Sequence, residues 1–519
     1  MTQQIPLEKT NQFSDFFLDY IKQNKSLEPF FKYTPNEEGL KAIVQERTLS
    51  SDQRSQLVET INAQYKDLEK HESLLQNIFA LNDGNTYSVV TGHQLNIFTG
   101  PLYFIYKIVT TINLAKRINS IRPDKKIVPV YWMASEDHDF EEINHFILFG
   151  KLHTWASSQK GAVGRFCLDG LEEIIEQIKD LPNCFSEAYR SQPTLAKATR
   201  YFVNEIFGKY GLIVFDGDNK VSKSAFIPIA KSELLHHESF RLVSQTNQEL
   251  SSRGYKAQAY VRPINLFYMK DDVRERIIKE GELFKVHQTA IEFSEAEIME
   301  ELDRYPERFS PNVILRPLYQ ELVLPNIAYV GGPSEIIYWL QLKSLFEFHK
   351  ISFPVLIPRN FAMVYSKSIL QKIRKIDLSP TDFFENDDVL KSKAFLQQGI
   401  SNTEIQEEVQ AINDVFNKLA DKANLLDKTL DGFIKSEQHK AQKLLEEIEK
   451  KFKKAEERKN EALLQQLFAV KAKLFPNGSL QERSDNYLNF AINNPDFIAQ
   501  MMSAFDPLNF SFYLISENE

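Results

Sequence analysis

The stretch YSVVTGHQLNIFTGPLYFIYKIVTTINLAKRI (residues 87–118), followed by IVPVYWMASEDHDFEEINHF (127–146), decides the fold. Tyr87 to Thr91 is a short run rich in β-branched residues, which suits a strand. Gly92-His93-Gln94 and Thr99-Gly100-Pro101 interrupt it, and Leu102 to Ile118 then follows helical spacing. Ile127 to Ala134 is almost wholly apolar, the pattern of a parallel strand covered on both faces. The two pieces read as a strand–helix–strand unit of an α/β fold, with polar residues gathered at the carboxyl ends of both strands. Open parallel sheets bind their ligands there, so this unit is expected to hold the active-site half of an enzyme.

Three more stretches look like strands of the same sheet, around residues 213 (GLIVFDG), 329 (IAYVGGP) and 355 (FPVLIPRN). With those at 88 and 130 they predict a five-stranded core of the size of a nucleotide-binding fold. The core is split. Residues 83–150 form its first half and 311–375 its second, with insertions over 151–310. Within the insertions, 151–168 suggests a small β unit, 171–208 helix, Pro228 to Glu249 a helix and Gln258 to Phe267 a strand. Ser334 is the expected N-cap, with Glu335 in the first turn, of a helix over Ile336 to His349.

Residues 1–82 are expected to be helical, with Phe13, Phe16, Phe17, Tyr20 and Ile21 on one face. Over 385–475, Ile405, Val409, Ile412, Phe416, Leu419, Ala423, Leu426, Leu430 and Phe433 alternate at four and three residues, the seam of a coiled coil. The seam resets near Gly432–Glu437, which is either a stutter in one helix or the turn of a hairpin. A homodimer through this arm is expected, with an intrachain hairpin the competing account. Residues 476–519 are expected to return to the core.

Composition narrows the class. At 519 residues the chain exceeds a single core, and 39 Phe and 20 Tyr argue for substantial folded interiors. A net charge of −9 speaks against nucleic acid or an anionic membrane as partner. Two cysteines, Cys167 and Cys184, with no CxxC pair, fit neither a disulfide framework nor a structural zinc site and suit a cytoplasmic setting. No signal-peptide pattern or bilayer-length apolar run is evident.

The chemistry-bearing residues cluster at strand ends. Gly92 allows close backbone approach, and His93 at a helix start is suited to donate to a phosphate or carboxylate; Gln94, Asn96, Thr99, Gly100 and Pro101 crowd the same end. Glu136, Asp137, His138 and Asp139, with Asn144 and His145, form the densest set of acids and bases. Such a set binds Mg²⁺ or Zn²⁺, or deprotonates an amine nucleophile; Asp139, Glu141 and Glu142 also suit a helix start. No metal site is assigned. Gly331, Gly332, Pro333, Ser334 and Glu335 make a second candidate anion turn. No GxGxxG or P-loop is present. Lys220-Val221-Ser222-Lys223-Ser224 resembles the lysine signature of class I aminoacyl-tRNA synthetases, but it precedes the second core half and reads as a helix start capped by serine.

TGHQLNIFTGPLYFIYKI (91–108), PVYWMASEDHDFEEINH (129–145), LRPLYQELVLPNIAYVGGPSEIIYWL (315–340), FPVLIPR (353–359) and FPNGSLQER (475–483) together resemble the BshC family, the cysteine-adding enzymes of bacillithiol biosynthesis. The resemblance covers most of the chain in consistent order. It implies a Rossmann-like core interrupted by connecting-peptide insertions, as in class I synthetases and nucleotidylyltransferases, joined to a C-terminal coiled coil. It implies a ligase forming an amide between the carboxylate of L-cysteine and the amine of glucosaminyl-malate, the last step of that pathway. A carboxylate is a poor acyl donor, so ATP, consumed to ADP or AMP, is the expected activator, with Mg²⁺ accompanying it. Asp137, His138 or Asp139 would then position or deprotonate the amine. Gly92–Pro101 and Gly331–Glu335 would hold the acyl donor or nucleotide, and Arg316 and Arg359, each beside a proline near a strand end, carboxylate or phosphate. Gln481-Glu482-Arg483 is expected to fold back onto the core. A nucleotidyltransferase or synthetase-like enzyme, and a scaffold built on the coiled coil, are the alternatives.

Overall fold

The structure, a computed structural model, describes residues 2–400 and 405–517. Its centre is a five-stranded parallel sheet built from β1 (Thr86–His93), β2 (Lys126–Met133), β3 (Ile213–Asp216), β4 (Asn326–Gly331) and β5 (Val355–Pro358). The spatial order is β5-β4-β1-β2-β3. Each expected core strand is present. The chain enters at the middle of the sheet, builds outward through β2 and β3, then returns to the other side of β1 with β4 and β5. Strand order therefore reverses between β1 and β4, which opens a crevice at their carboxyl ends.

Burial explains the apolar runs. Val89, Val90, Val128, Val130, Tyr329 and Val330 are fully enclosed, because helices cover both faces. Helix α1 (Tyr103–Ile121) joins β1 to β2 and is buried along most of its length. One of its buried residues is Lys107, a cation that needs a partner in such a place.

The insertions differ from expectation in three places. The Pro228–Glu249 helix is two helices, α2 (Lys220–His236) and Glu238–Ser252, broken at His237, whose φ of 55° is left-handed. Of Gln258–Phe267 only the end is extended, as the start of the strand Leu266–Lys270; upstream, Gln258 and Ala259 donate their N–H groups to the Gln341 side chain instead of to a ladder. That strand belongs to a five-stranded antiparallel sheet, with Val273–Glu280 beside it. The Ile336–His349 helix is also two, α3 (Pro333–Trp339) and Lys343–Phe348, and Gly332, not Ser334, is its N-cap. The break leaves the buried Gln341 amide free to bond Asn247 and Ala259.

The N-terminal segment is helical after its first residues, but Thr2–Pro6 is a strand. It pairs antiparallel with Ser511–Ser516, which lies parallel to Phe361–Tyr365. In the arm, α4 (Gln406–Leu426) and α5 (Asp431–Lys459) pack side by side, with the chain reversing at Asp427–Leu430. Asn413 Oδ1 accepts from both Gln438 and Gln442 across the pair, so within the chain the arm is a hairpin. Residues 401–404 of the expected 385–475 arm lie outside the described residues, as do Met1, Asn518 and Glu519. Among the described residues no helix is long and apolar enough to cross a membrane.

Candidate active site

A cavity of about 680 Å³ opens at the carboxyl ends of β1, β2 and β4, at the point where strand order reverses. Its walls carry opposite charge.

The basic wall is organised by Lys107. Its Nζ lies 2.6 Å from Glu335 Oε2 and donates to the Gly92 carbonyl at 2.7 Å. Burial pushes the Lys107 pKa down from its ordinary value, with Glu335 opposing. Burial likewise works to raise the Glu335 carboxyl, but the Lys107 ammonium outweighs it and holds the group below its usual value. Glu335 also accepts from the Tyr329 hydroxyl at 2.8 Å and from the Gly332 N–H at 2.7 Å. The N–H of the expected anion turn is thus taken by its own side chain. Arg316 donates only to neutral groups, Gln320 Oε1 at 3.1 Å and the Tyr338 hydroxyl at 2.7 Å. No carboxylate of a described residue bridges it. Arg359 spends one nitrogen on Glu482 at 2.5 Å and another on the Asn360 carbonyl, while its buried Nε has no partner among the described residues. A Cβ on Gly92 would lie 3.3 Å from the Tyr329 hydroxyl and 3.4 Å from Arg316 Nη1, a tight fit that needs the tyrosine to give by a few tenths of an ångström.

The acidic wall follows β2. Glu136 accepts from Lys223 Nζ at 2.8 Å, and Lys223 also donates to the Phe309 carbonyl. Asp137 accepts from Gln94 Nε2 at 3.0 Å and from the His138 N–H at 2.7 Å. Burial works to raise its pKa, but its bonds with His138 and Gln94 and the nearby Arg274 guanidinium prevail, leaving it well below the usual carboxylate range. A carboxylate so stabilised is a weak base and a good ammonium ligand.

Of the residues singled out from the sequence, Gly92, His93, Gln94, Glu136, Asp137, His138, Arg316, Gly332, Pro333, Ser334, Glu335 and Arg359 line this cavity. His93 is not at a helix start. It ends β1, ten residues before α1, half-buried against Tyr103 and Phe104. Burial drives its pKa far down, and Lys107 and Arg359 add to the effect, so the ring is neutral. Arg316 begins the helix Arg316–Val323 and reaches the cavity from there. Asn96, Thr99, Gly100, Pro101, Asp139, Asn144, His145 and Gly331 do not line it. Asn96 bonds the Glu142 carbonyl, Thr99 and Gly100 form a left-handed turn with φ of 73° and 59°, and Pro101 bridges to Asn486. Asp139 is exposed, and Asn144 bonds His145 beside the short helix Phe140–Ile143. The two long turns shape the backbone under the site.

Lys107, Arg274, Lys223 and Arg483 were missed as site residues. Lys107 left a signal, a lone cation within an apolar helix. Lys223 sat in the lysine-rich motif set aside above; the cap of α2 is Asn219, not a serine, and Lys223 points to Glu136. Arg274 arrives from the inserted sheet with no local cue, while Arg483 lies in the 481–483 segment expected to fold back onto the core and lines the cavity there.

Beneath Arg316, Gln320 donates to the buried Glu321, as does Asn326, while Glu321 Oε2 has no partner among the described residues. Burial pushes this carboxyl up to about 7, against Arg47, Asn326 and Gln320. The folded protein thus holds a proton that the unfolded chain releases near its ordinary 4.5. The stabilisation is complete below that value and is lost as pH rises through 7, a change of about 3 kcal/mol. Glu321→Gln, uncharged throughout, is expected to flatten this slope between pH 5 and 8 in urea unfolding. Equal slopes for both proteins would rule the assignment out.

A parallel sheet with a two-walled cavity at its switch point defines a Rossmann-like α/β enzyme with a separate helical arm. The model of the bacillithiol biosynthesis BshC N-terminal Rossmann-like domain matches residues 1–360, and that of the BshC C-terminal coiled-coil domain matches residues 362–517. A protein of Cytophaga hutchinsonii named "Putative cysteine ligase BshC" is 41% identical over 99% of this chain and 98% of its own. Proteins of the same name from Christiangramia forsetii and Bacillus cytotoxicus are 39% identical over 99% and 98%, and 30% identical over 91% and 92%. The chain belongs to the BshC family and is a ligase of bacillithiol biosynthesis.

Proposed function

We propose that the protein forms the amide between the carboxylate of L-cysteine and the amine of glucosaminyl-malate, the last step of bacillithiol assembly, with ATP activating the carboxylate. The observation that carries this reading is one cavity with Arg316, bridged by no carboxylate of a described residue, on one wall and Glu136 and Asp137 on the other. An amide-forming ligase handles anions and an amine together, and this cavity has a place for each. The relatives' printed name, cysteine ligase, supports cysteine as one substrate.

ATP, when bound, would supply the leaving group that turns the carboxylate into an acyl donor, as an adenylate or an acyl phosphate. The residues suit an anion of that kind: no carboxylate of a described residue bridges Arg316, and the buried Arg359 Nε and His93 Nε2 lack partners among the described residues. Mg²⁺ would arrive on the phosphate oxygens. Arg316 and Arg359 hold carboxylate or phosphate. Asp137, ionised across the working range, receives the ammonium with Glu136 beside it. The amine attacks the acyl carbon once its proton has gone to solvent, and the activating group departs with the electron pair of the broken bond.

Purified protein supplied with cysteine, glucosaminyl-malate and Mg-ATP is expected to yield a thiol of the condensed mass. AMP with pyrophosphate would mark an adenylate, and ADP with phosphate an acyl phosphate. Nucleotide turnover that proceeds without the amino-sugar would favour a nucleotidyltransferase. Folded protein that makes no product with any nucleoside triphosphate would refute the reading.

A further inference from the structure

Arg274 and His138 are 136 residues apart in the chain, yet their side chains meet, Arg274 Nη1 lying 2.5 Å from His138 Nδ1. Arg274 sits on the inserted strand Val273–Glu280 and His138 in the loop after β2. The arginine is held firmly. Its side chain is 7% exposed, Nε and Nη2 lie 3.4 and 3.3 Å from Ser310 Oγ, and the guanidinium stacks 4.1 Å from the Phe267 ring centre.

This contact has a chemical consequence. A guanidinium has only donors and keeps its protons in proteins. His138 Nδ1 must therefore present its lone pair, and the ring's one proton is on Nε2. An imidazolium would set Nδ1–H against the arginine N–H. Asp137 Oδ1, at 3.6 Å from Nδ1, is too distant to compete for that nitrogen. No described residue bonds Nε2, and the ring lines the cavity, half exposed.

We propose that Arg274 locks His138 in the Nε2–H tautomer, so that His138 donates a hydrogen bond to an anionic oxygen in the cavity and does not act as a base toward the amine. Arg274 is the positioning residue. His138 is the group that touches substrate, at the carboxyl or phosphoryl oxygen where charge builds up during acyl activation. A neutral, oriented donor in a walled site stabilises such charge well. The antiparallel insertion then has a direct part in catalysis, supplying the residue that sets the state of a core-loop histidine. The choice of oxygen rests on the ligase reading; the tautomer does not.

The test has two arms. In full-length protein carrying ¹⁵N-labelled histidine, without substrate, the His138 signals, assigned by their loss in His138→Gln, are expected to show a protonated Nε2 and a bare Nδ1. Arg274→Met is expected to release the ring into exchange between tautomers, and Arg274→Lys to restore much of the lock. A protonated Nδ1 in the wild type would overturn the proposal. In the kinetic arm, His138→Gln, whose amide N–H reaches the place of Nε2, is expected to stay within about tenfold of wild-type kcat. His138→Glu, which replaces the donor by a base, is expected to lose about 10²–10³-fold. The reverse order would show that His138 is a base. Wild-type protein that forms no product would end the ligase reading, while the spectrum would still decide the tautomer.

Discussion

Replacing Arg316 with alanine is expected to lower kcat/KM by about 10²–10³ while the protein stays folded. The expectation rests on what Arg316 leaves behind. Its internal partners, Gln320 and the Tyr338 hydroxyl, are neutral, so truncation strands no buried charge. What is lost is a guanidinium in the cavity that no carboxylate of a described residue bridges. The loss should appear mainly in KM for the anionic substrate if the contact forms on binding, and in kcat if it tightens only in the transition state. Steady-state kinetics with varied glucosaminyl-malate and ATP would assign the contact to one or the other. Unchanged kinetics with both would remove Arg316 from the site. Lys107→Ala is no substitute for this experiment, because it would leave the half-buried Glu335 without its cation.

The second large effect is on stability. Arg359 and Glu482 form an ion pair whose side chains are 3% and 1% exposed, and Glu482 also accepts from the Ala362 N–H at 3.3 Å. Glu482→Ala leaves a buried guanidinium unpaired and is expected to cost about 3–5 kcal/mol. The pair ties the C-terminal segment to the end of β5, beside the cavity. Gln481 reinforces the tie by exchanging hydrogen bonds with both the N–H and the carbonyl of Val364, each at 2.8 Å, much as a neighbouring strand would. Loss of Glu482 should therefore loosen the wall that carries Arg483 as well as lower the urea midpoint. The double variant Arg359→Met with Glu482→Leu should be milder than Glu482→Ala, since it removes both charges together. A double variant as unstable as the single one would mean that the segment is held by packing and not by the pair.

The site was legible where function follows chain order. A strand end followed by a polar turn puts Gly92–Gln94 and Glu136–His138 at one edge of a parallel sheet, and the glycine turn after β4 puts Gly332–Glu335 beside them. The roles were less legible. His93 and Asp137 looked like a donor and a base because those are the habits of their residue types. Packing against Tyr103 and Phe104 makes the one a neutral histidine at the cavity wall, and two hydrogen bonds with a nearby guanidinium make the other a fixed anion. Asn96, Thr99, Gly100 and Pro101 looked like binding residues because they are polar and turn-forming. The structure uses them for the turn itself. At Gly100 a Cβ would lie 2.4 Å from that of Asn96.

By itself, the sequence of this protein determined the five core strands, the helix between the first two, the insertions that divide the core and the helices of the arm, though not its seam, since Leu419, Leu426, Leu430 and Phe433 are exposed. All of these are short-range: apolar period, β-branching and glycine placement act within a few residues of one another. Only the tertiary structure decided the pairing of Thr2–Pro6 with Ser511–Ser516, the reversal of the arm at Asp427–Leu430, the docking of Arg274 on the cavity and the pairing of the buried Lys223 with Glu136. These depend on partners hundreds of residues away or on which competing contact wins. A side chain's charge and hydrogen-bond state are set by such neighbours, and so is the chemistry of the site.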